Sequence, residues 1–409
     1  MTNAYRKTRL ENGIRVVSER MDYGQSVSIG VWVFTGSRNE SKELNGISHL
    51  LEHMVFKGTA SRTVYDIATS LESLGGSLNA FTDKEVTCFY AFVLGENLPE
   101  SVDVIADVVQ NAILDEKDLR KEKRIVFEEI QNLEDTPEDF VQDCFIQTIF
   151  ENHPLGLSTL GSYKSIEIIK RSNLLEYRKT FYTPNNIIVA AAGKCDHDSL
   201  VDLVSRSFTY LPRGRPPLPE PFRLGEEPLK RIPSSVNQAH ICTGTSAYGY
   251  RDRKKFPLIV LSSLLGGGMS SRLFQNLREK RGLAYSVYSF FDLWSDTGLL
   301  GVYAGTSPKN SRKALEIIER ELSALCDKKV SQDELDRTKS QLTRSFILSL
   351  EHSTSRMNRL AKMEIYTQEY TPLDEVIALI EAVSQEDVQS VARELLRDRK
   401  RYTTILEPE

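Results

Sequence analysis

A proline-rich segment divides this 409-residue chain nearly in half. Seven prolines stand between residues 211 and 235, in the sequence LPRGRPPLPEPFRLGEEPLKRIPSS. Because proline fixes φ and pushes the preceding residue out of the helical region, this segment can be neither a helix nor a central strand. It is typical of a stiff, extended linker. The chain is also too long for one ordinary core. We therefore predict an N-terminal half at 1–212, a linker at 213–235 and a C-terminal half at 236–409.

Each half mixes predicted strands with predicted helices. Alternating residues at 13–19 and 26–35 predict two strands that pair antiparallel, and 77–94 predicts a hairpin that turns near Asp83. The helical period marks a long helix at 116–133. The order of elements repeats after the linker, which favours an internal duplication, although similar halves also arise without shared descent. The later elements are strands at 238–245, 284–291 and 298–305 and helices at 256–265, 269–280 and 313–325. The fold class we predict is α+β, two similar halves that each pack an antiparallel-rich sheet with helices.

Composition and charge exclude several classes of function. The chain has the apolar and charged content of a soluble globular protein, and its net charge of −5 disfavours nucleic acid as a main partner. Five cysteines without a CxxC pair argue against a disulfide framework or a cysteine zinc knuckle. The sequence shows neither a signal-like apolar stretch near residue 1 nor a run of about 18 apolar residues. We therefore expect a cytoplasmic protein without a membrane span.

The sequence HLLEH at residues 49–53 is the strongest chemical signal in the chain. Residues four apart lie on one face of a helix, so His49 and His53 can direct imidazole nitrogens at a single metal ion. Glu52 lies on the same turn, where a carboxylate can take a proton from water and pass it to a leaving amine. This order is the inverzincin signature. The alternative is a chance spacing of two histidines on a solvated helix face.

A zinc hydrolase site needs a third protein ligand, and the helix predicted at 116–133 offers glutamates. Glu122 and Glu129 are seven residues apart and flank the apolar Val126, so both face the core side of this helix. Glu128 lies on the opposite side, where the ordinary interpretation is a surface ion pair. One of the two inward glutamates would bind the metal and the other would support the site.

These residues resemble the pitrilysin and insulin-degrading family of metallopeptidases, in particular its mitochondrial-processing-peptidase-like branch. Family members carry a pair of glutamates seven residues apart, some seventy residues after the HxxEH helix. The resemblance covers essentially the whole chain. It implies that His49, His53 and Glu129 bind one Zn²⁺ per chain, that Glu52 is the catalytic base and that Glu122 supports the site.

Other segments also resemble this family. The run GGGMSSRL at residues 266–273 resembles its glycine-rich loop, and Arg278 and Tyr285 match an arginine and a tyrosine that contact substrate. The resemblance implies that Arg278 holds a substrate carbonyl and that the Tyr285 hydroxyl donates to the tetrahedral oxyanion. Strand 77–82 aligns with the edge strand that pairs with substrate, which makes Asn79 and Ala80 candidate substrate-binding residues. The alternative for this strand is an interior position in the sheet.

The resemblance implies a fold like that of processing peptidases and the core subunits of cytochrome bc1. The implied function is a zinc endopeptidase that hydrolyses peptides or unfolded polypeptide segments in a closed chamber, as a homodimer. The alternative is a non-catalytic or heterodimer-dependent subunit of a processing-peptidase-like complex. Non-catalytic subunits typically lose metal or base residues, whereas all four are present here at His49, Glu52, His53 and Glu129. The intact set favours an enzyme over a non-catalytic subunit and leaves a heterodimer-dependent active subunit open.

Overall fold

The computed structural model describes residues 4–212 and 214–409. Its strands are β1 Tyr5–Arg9, β2 Arg15–Arg20, β3 Ser26–Val33, β4 Ser77–Thr82, β5 Thr87–Leu94, β6 Ile187–Gly193, β7 Leu229–Ser234, β8 Ala239–Ala247, β9 Ala284–Leu293, β10 Gly298–Thr306 and β11 Tyr402–Pro408. Its α-helices are α1 Ile47–Val55, α2 Val64–Glu72, α3 Leu98–Asn111, α4 Glu116–Glu134, α5 Pro137–Ile149, α6 Tyr163–Ile168, α7 Arg171–Phe181, α8 His197–Ser207, α9 Lys255–Gly266, α10 Ser311–Asp327, α11 Gln332–Ser349, α12 Ser353–Tyr366, α13 Leu373–Glu381 and α14 Gln385–Arg393. None of these helices is both long and apolar enough to cross a bilayer.

The described residues form two compact units, and each contains one mainly antiparallel sheet. Unit 1 holds the residues up to Gln131 together with Leu157–Glu220 and Leu348–Tyr370. Unit 2 consists of Asn132–Gly156, Pro221–Ile347 and Thr371–Glu409. The predicted fold class, α+β with two sheet-and-helix halves, is confirmed.

Each unit also includes a helix from the opposite half of the sequence. In unit 1, α12 packs across the sheet against β3 and β6. Its buried Glu364 forms ion pairs with Lys7 Nζ at 2.7 Å and with Arg15 Nη1 at 3.4 Å. In unit 2, α5 packs against β8 and β11. A division of the chain at one linker therefore does not describe the compact units completely.

The sheet of unit 1 has the strand order β1-β2-β6-β3-β5-β4. The predicted antiparallel pairing of the first two sequence strands, at 13–19 and 26–35, is wrong, because β6 lies between β2 and β3. The reason is that β6 is apolar and buried along its whole length, so it needs a neighbouring strand on each side. The predicted hairpin is confirmed as β4 and β5, which leaves β4 at the edge of the sheet.

The sheet of unit 2 has the order β7-β11-β8-β10-β9. Strand β7 pairs in parallel with β11 and includes Pro233, so the predicted linker at 213–235 is corrected at its C-terminal end. Proline lacks the N–H that a central strand must donate, but an edge strand tolerates it. The prolines of this segment therefore exclude a central strand but permit β7, which lies at the edge of the sheet.

Helix α1 carries the HxxEH residues and is held firmly at its N-terminus. Its first turn follows Gly46, which has a left-handed φ of 90°. A side chain at this position would place its Cβ 2.7 Å from the Leu160 carbonyl oxygen. The buried carboxylate of Glu40 accepts hydrogen bonds from Gly46 N at 2.6 Å, Ser48 N at 2.8 Å and Asn45 Nδ2 at 2.8 Å. Glu40 thus accepts hydrogen bonds from donors that the helix itself leaves without a partner.

We expect Glu40→Ala to lower the thermal unfolding midpoint of unit 1. The change leaves buried donors without an acceptor, which costs about 3 kcal/mol and corresponds to roughly 6–12 °C for a unit of this size. Differential scanning calorimetry of the full chain measures the shift. The matched control is Glu43→Ala, an exposed neighbour, which should change stability by less than about 0.5 kcal/mol. Equal shifts for both variants would contradict the role given to Glu40.

Candidate metal centre

The structure brings His49, His53 and Glu129 together from helices α1 and α4 of unit 1. Glu129 Oε2 lies 3.6 Å from His49 Nε2, and Glu129 Oε1 lies 3.6 Å from His53 Nε2. One ligand atom from each residue lies within 4.8 Å of the other two. The two imidazole rings stand edge to face with centroids 4.6 Å apart. Two nitrogens and one carboxylate oxygen therefore converge on one point.

This donor set fits a zinc ion. Distances of 3.6 Å are too long for hydrogen bonds, but tetrahedral ligands at 2.0–2.1 Å from zinc stand roughly 3.3 Å apart. Glu129 Oε2 is buried and has no hydrogen-bond partner within residues 4–212 and 214–409. A buried carboxylate oxygen normally has a partner, and a cation between the three residues would supply one. Catalytic zinc sites use three such protein ligands and keep a further position open.

Glu122 lies beside the three converging residues and contacts the Nδ1 side of the His53 ring. Glu122 Oε2 is 3.3 Å from His53 Nδ1, and its Oε1 receives Lys57 Nζ at 2.9 Å. Burial acts to raise the pKa of Glu122, but hydrogen bonds from His53 and Lys57 outweigh it and leave this pKa below its usual value. An ionised Glu122 accepts a hydrogen bond from the Nδ1–H of His53, and in this tautomer the lone pair of Nε2 is available to bind a metal.

The surroundings of His49 favour its neutral imidazole. Burial, with a smaller contribution from the charge of His53, lowers the pKa of His49 to about 3. Its imidazole is therefore uncharged at neutral pH, which is the form that binds metals.

The Glu52 carboxylate contacts the edge strand β4. Its Oε2 accepts a hydrogen bond of 2.6 Å from the Thr82 hydroxyl. Burial raises the pKa of Glu52, although the hydrogen bond from Thr82 opposes this effect. The sequence did not single out Thr82. A usable signal was its register, because Thr82 lies two residues after Ala80 and so faces the same side of the strand.

A cleft of about 280 Å³ lies between the HxxEH helix and the edge strand. Glu52, His53 and Glu122 line one side of it, and Leu78–Ala80 of β4 line the other. The Ala80 N–H donates to the Asn79 side-chain oxygen at 2.8 Å. The two candidate substrate-binding residues, Asn79 and Ala80, thus lie on an edge strand beside the candidate metal centre rather than in the sheet interior.

Arg278 and Tyr285 lie together in unit 2. Arg278 Nη1 donates to the Tyr285 carbonyl oxygen at 2.9 Å, and its guanidinium lies 4.8 Å and 5.4 Å from the ring centroids of Phe274 and Tyr285. Tyr285 is 79% exposed. Within the helix predicted at 269–280, Phe274–Glu279 is π-helical. Such wide turns occur frequently at functional sites.

Two protein-family models match this chain. The model described as insulinase, peptidase family M16, matches residues 15–162. The model described as the peptidase M16 inactive domain matches residues 169–342. The residues of the candidate metal centre all fall in the first of these regions.

Relatives and solved structures agree with these matches. The uncharacterized zinc protease YmxG of Bacillus subtilis is 39% identical over 388 residues, 95% of each chain. An uncharacterized zinc protease of Mycobacterium tuberculosis is 41% identical over 401 residues, 97% of this chain and 92% of the relative. A protease from Helicobacter pylori superposes with a TM-score of 0.92 at 24% identity over 99% of both chains. A chain of Candida albicans complex III superposes with a TM-score of 0.86 at 23% identity, over 98% of this chain and 95% of that one. The last two bear on the fold alone, whereas the full-length sequence relatives show that the chain belongs to the M16 (insulinase) peptidase family.

Proposed function

We propose that this chain is a zinc-dependent endopeptidase that hydrolyses peptides or unfolded polypeptide segments. The observation that carries the proposal is the convergence of His49, His53 and Glu129 beside a cleft that Glu52 also lines. The names of the full-length relatives, uncharacterized zinc proteases, support the same metal and reaction class.

In the proposed mechanism, His49, His53 and Glu129 hold one zinc ion. When bound, zinc supplies Lewis acidity, which polarises a substrate carbonyl and lowers the pKa of a neighbouring water. Glu52 takes the proton from the attacking water and returns it to the leaving amine. Its burial raises its pKa and so makes the carboxylate a stronger base. Glu122 keeps His53 in the tautomer that leaves Nε2 free to bind.

We further propose that substrate binds as an extended strand along β4. An edge strand offers unpaired backbone groups, and the cleft beside Asn79 and Ala80 can take side chains of the added strand. From the family resemblance alone, we propose that Arg278 and Tyr285 contact substrate and stabilise the oxyanion. A closed chamber and a homodimer complete the proposal on the same basis. We also propose a cytoplasmic location, which the cysteine pattern supports.

Cleavage of a quenched, unstructured peptide library by the purified chain tests this function. We expect cleavage by the single chain, loss of activity with a chelator, and recovery when zinc is returned at about one ion per chain. A folded protein without loose segments is the control substrate and should stay intact. A chain that binds zinc but cuts nothing would support the alternative, a non-catalytic or heterodimer-dependent subunit. A chain that binds no metal would contradict the assignment of the site.

A further inference from the structure

The edge strand makes a direct contact with the proposed catalytic base. Thr82 is the last residue of β4, and its hydroxyl lies 2.6 Å from Glu52 Oε2. Within residues 4–212 and 214–409, no other side chain donates a hydrogen bond to Glu52. The second carboxylate oxygen, Oε1, therefore has no side-chain donor there. Among the described residues, Thr82 is thus the side-chain donor that contacts the Glu52 carboxylate.

The proton of the Thr82 hydroxyl is committed to Glu52. A threonine hydroxyl has one proton to donate, and the other acceptor within reach, Thr87 Oγ1, is 3.5 Å away. Thr87 in turn donates its own proton to the Thr35 carbonyl oxygen at 3.0 Å. The contact with Glu52 is the stronger of the two, because 2.6 Å is an ordinary O–H···O distance and 3.5 Å is long for one. Thr82 is therefore a fixed donor.

We propose that Thr82 is a positioning residue that holds Glu52 Oε2 and so presents Oε1 to the attacking water. This inference rests on the proposed function. Thr82 does not touch the ligand residues or the reacting atoms; it acts through Glu52. Because the same strand lines the substrate cleft through Leu78–Ala80, the segment that would pair with a peptide and the group that orients the base belong to one rigid element.

The test compares Thr82→Val, which keeps the shape and removes the hydroxyl, with Thr82→Ser, which keeps the hydroxyl. We expect Thr82→Val to lower kcat roughly 10- to 100-fold, the factor that corresponds to one hydrogen bond to a charged group. KM should stay within about twofold, because the contact serves the chemical step rather than binding. Bound zinc should not change. Thr82→Ser should recover kcat to within about threefold of the wild type.

A matched control separates positioning from a general structural effect. Thr87→Val removes a buried hydroxyl from the neighbouring strand β5 that does not contact Glu52. It should lower the unfolding temperature yet leave kcat within about twofold. In a Glu52→Gln background, Thr82→Val should add less than about a twofold loss, because both changes remove the same function.

The outcomes distinguish this inference from the proposed function. If the wild type cleaves peptides and Thr82→Val keeps wild-type kcat, or loses it without rescue by Thr82→Ser, the positioning role is wrong and the peptidase stands. If the wild type does not cleave, the proposed function fails. A crystal structure of Thr82→Val then decides the inference by itself: several Glu52 rotamers support it, and a single unchanged rotamer overturns it.

Discussion

Glu52→Gln should abolish peptide cleavage while the chain keeps its zinc. Glutamine has nearly the same shape, and its side-chain oxygen can still accept a hydrogen bond from the Thr82 hydroxyl, but it cannot take a proton from water. Loss of a general base costs typically 10²–10⁴-fold, and we expect a fall in kcat of roughly 10³-fold or more. Stopped assays with the quenched peptide give the rate, and elemental analysis gives the zinc content of the same samples.

The control for this substitution is Glu128→Gln on α4, which makes the same chemical change at an exposed position. It should keep wild-type kcat and zinc. If Glu52→Gln cleaves at the wild-type rate with metal bound, another group is the base. If it loses zinc together with activity, Glu52 supports the metal residues instead of the proton transfer.

The placement of the candidate site residues on their helix faces was largely predictable, because its main signals are local. A spacing of four residues puts His49 and His53 on one helix face, and a spacing of seven puts Glu122 and Glu129 on another. The helix period also predicted that Glu128 faces solvent, and its side chain is exposed. These predictions required only that both segments be helical, as α1 and α4 are. The convergence of the two helices came from the family resemblance.

Strand pairing was harder to predict, because it depends on partners that are distant in the sequence. The alternating patterns of β2 and β3 are equally compatible with a hairpin and with a third strand between them. What decides is the uniformly apolar β6, more than 150 residues after β3, which requires two neighbours. The packing of α12 in unit 1 and α5 in unit 2 is non-local in the same sense.

Contacts between side chains of different elements could also not be predicted from the sequence. Thr82 and Lys57 are ordinary residue types without a spacing that marks them. Their roles appear only when β4 packs beside α1 and when α4 brings Glu122 to Lys57. The proline rule had a similar limit, since it excluded a central strand at 229–234 without indicating the edge pairing with β11.

Glu129→Gln should weaken zinc binding by at least about 100-fold. Changing a residue that only supports a ligand typically costs 10–100-fold in metal affinity, so loss of a direct anionic ligand should cost more than Glu122→Gln does. The neutral amide also leaves the two histidines without a countercharge for a divalent cation. Competition with a chromophoric chelator at fixed pH measures the zinc Kd of each variant, and Glu128→Gln serves as the unchanged reference.

The same substitution should remove most of the stabilisation that zinc gives to unit 1. At a free zinc concentration 100 times the wild-type Kd, binding to the folded state contributes about 2.7 kcal/mol. If the Kd rises 100-fold, the same zinc concentration contributes only about 0.4 kcal/mol. Calorimetry of wild type and Glu129→Gln, each with and without zinc, should therefore show a large upward shift in the unfolding temperature for the wild type and almost none for the variant. A variant that zinc stabilises as strongly as the wild type would mean that His49 and His53 bind the ion with a different third residue, and Glu122, the neighbouring inward carboxylate, would be the first to substitute.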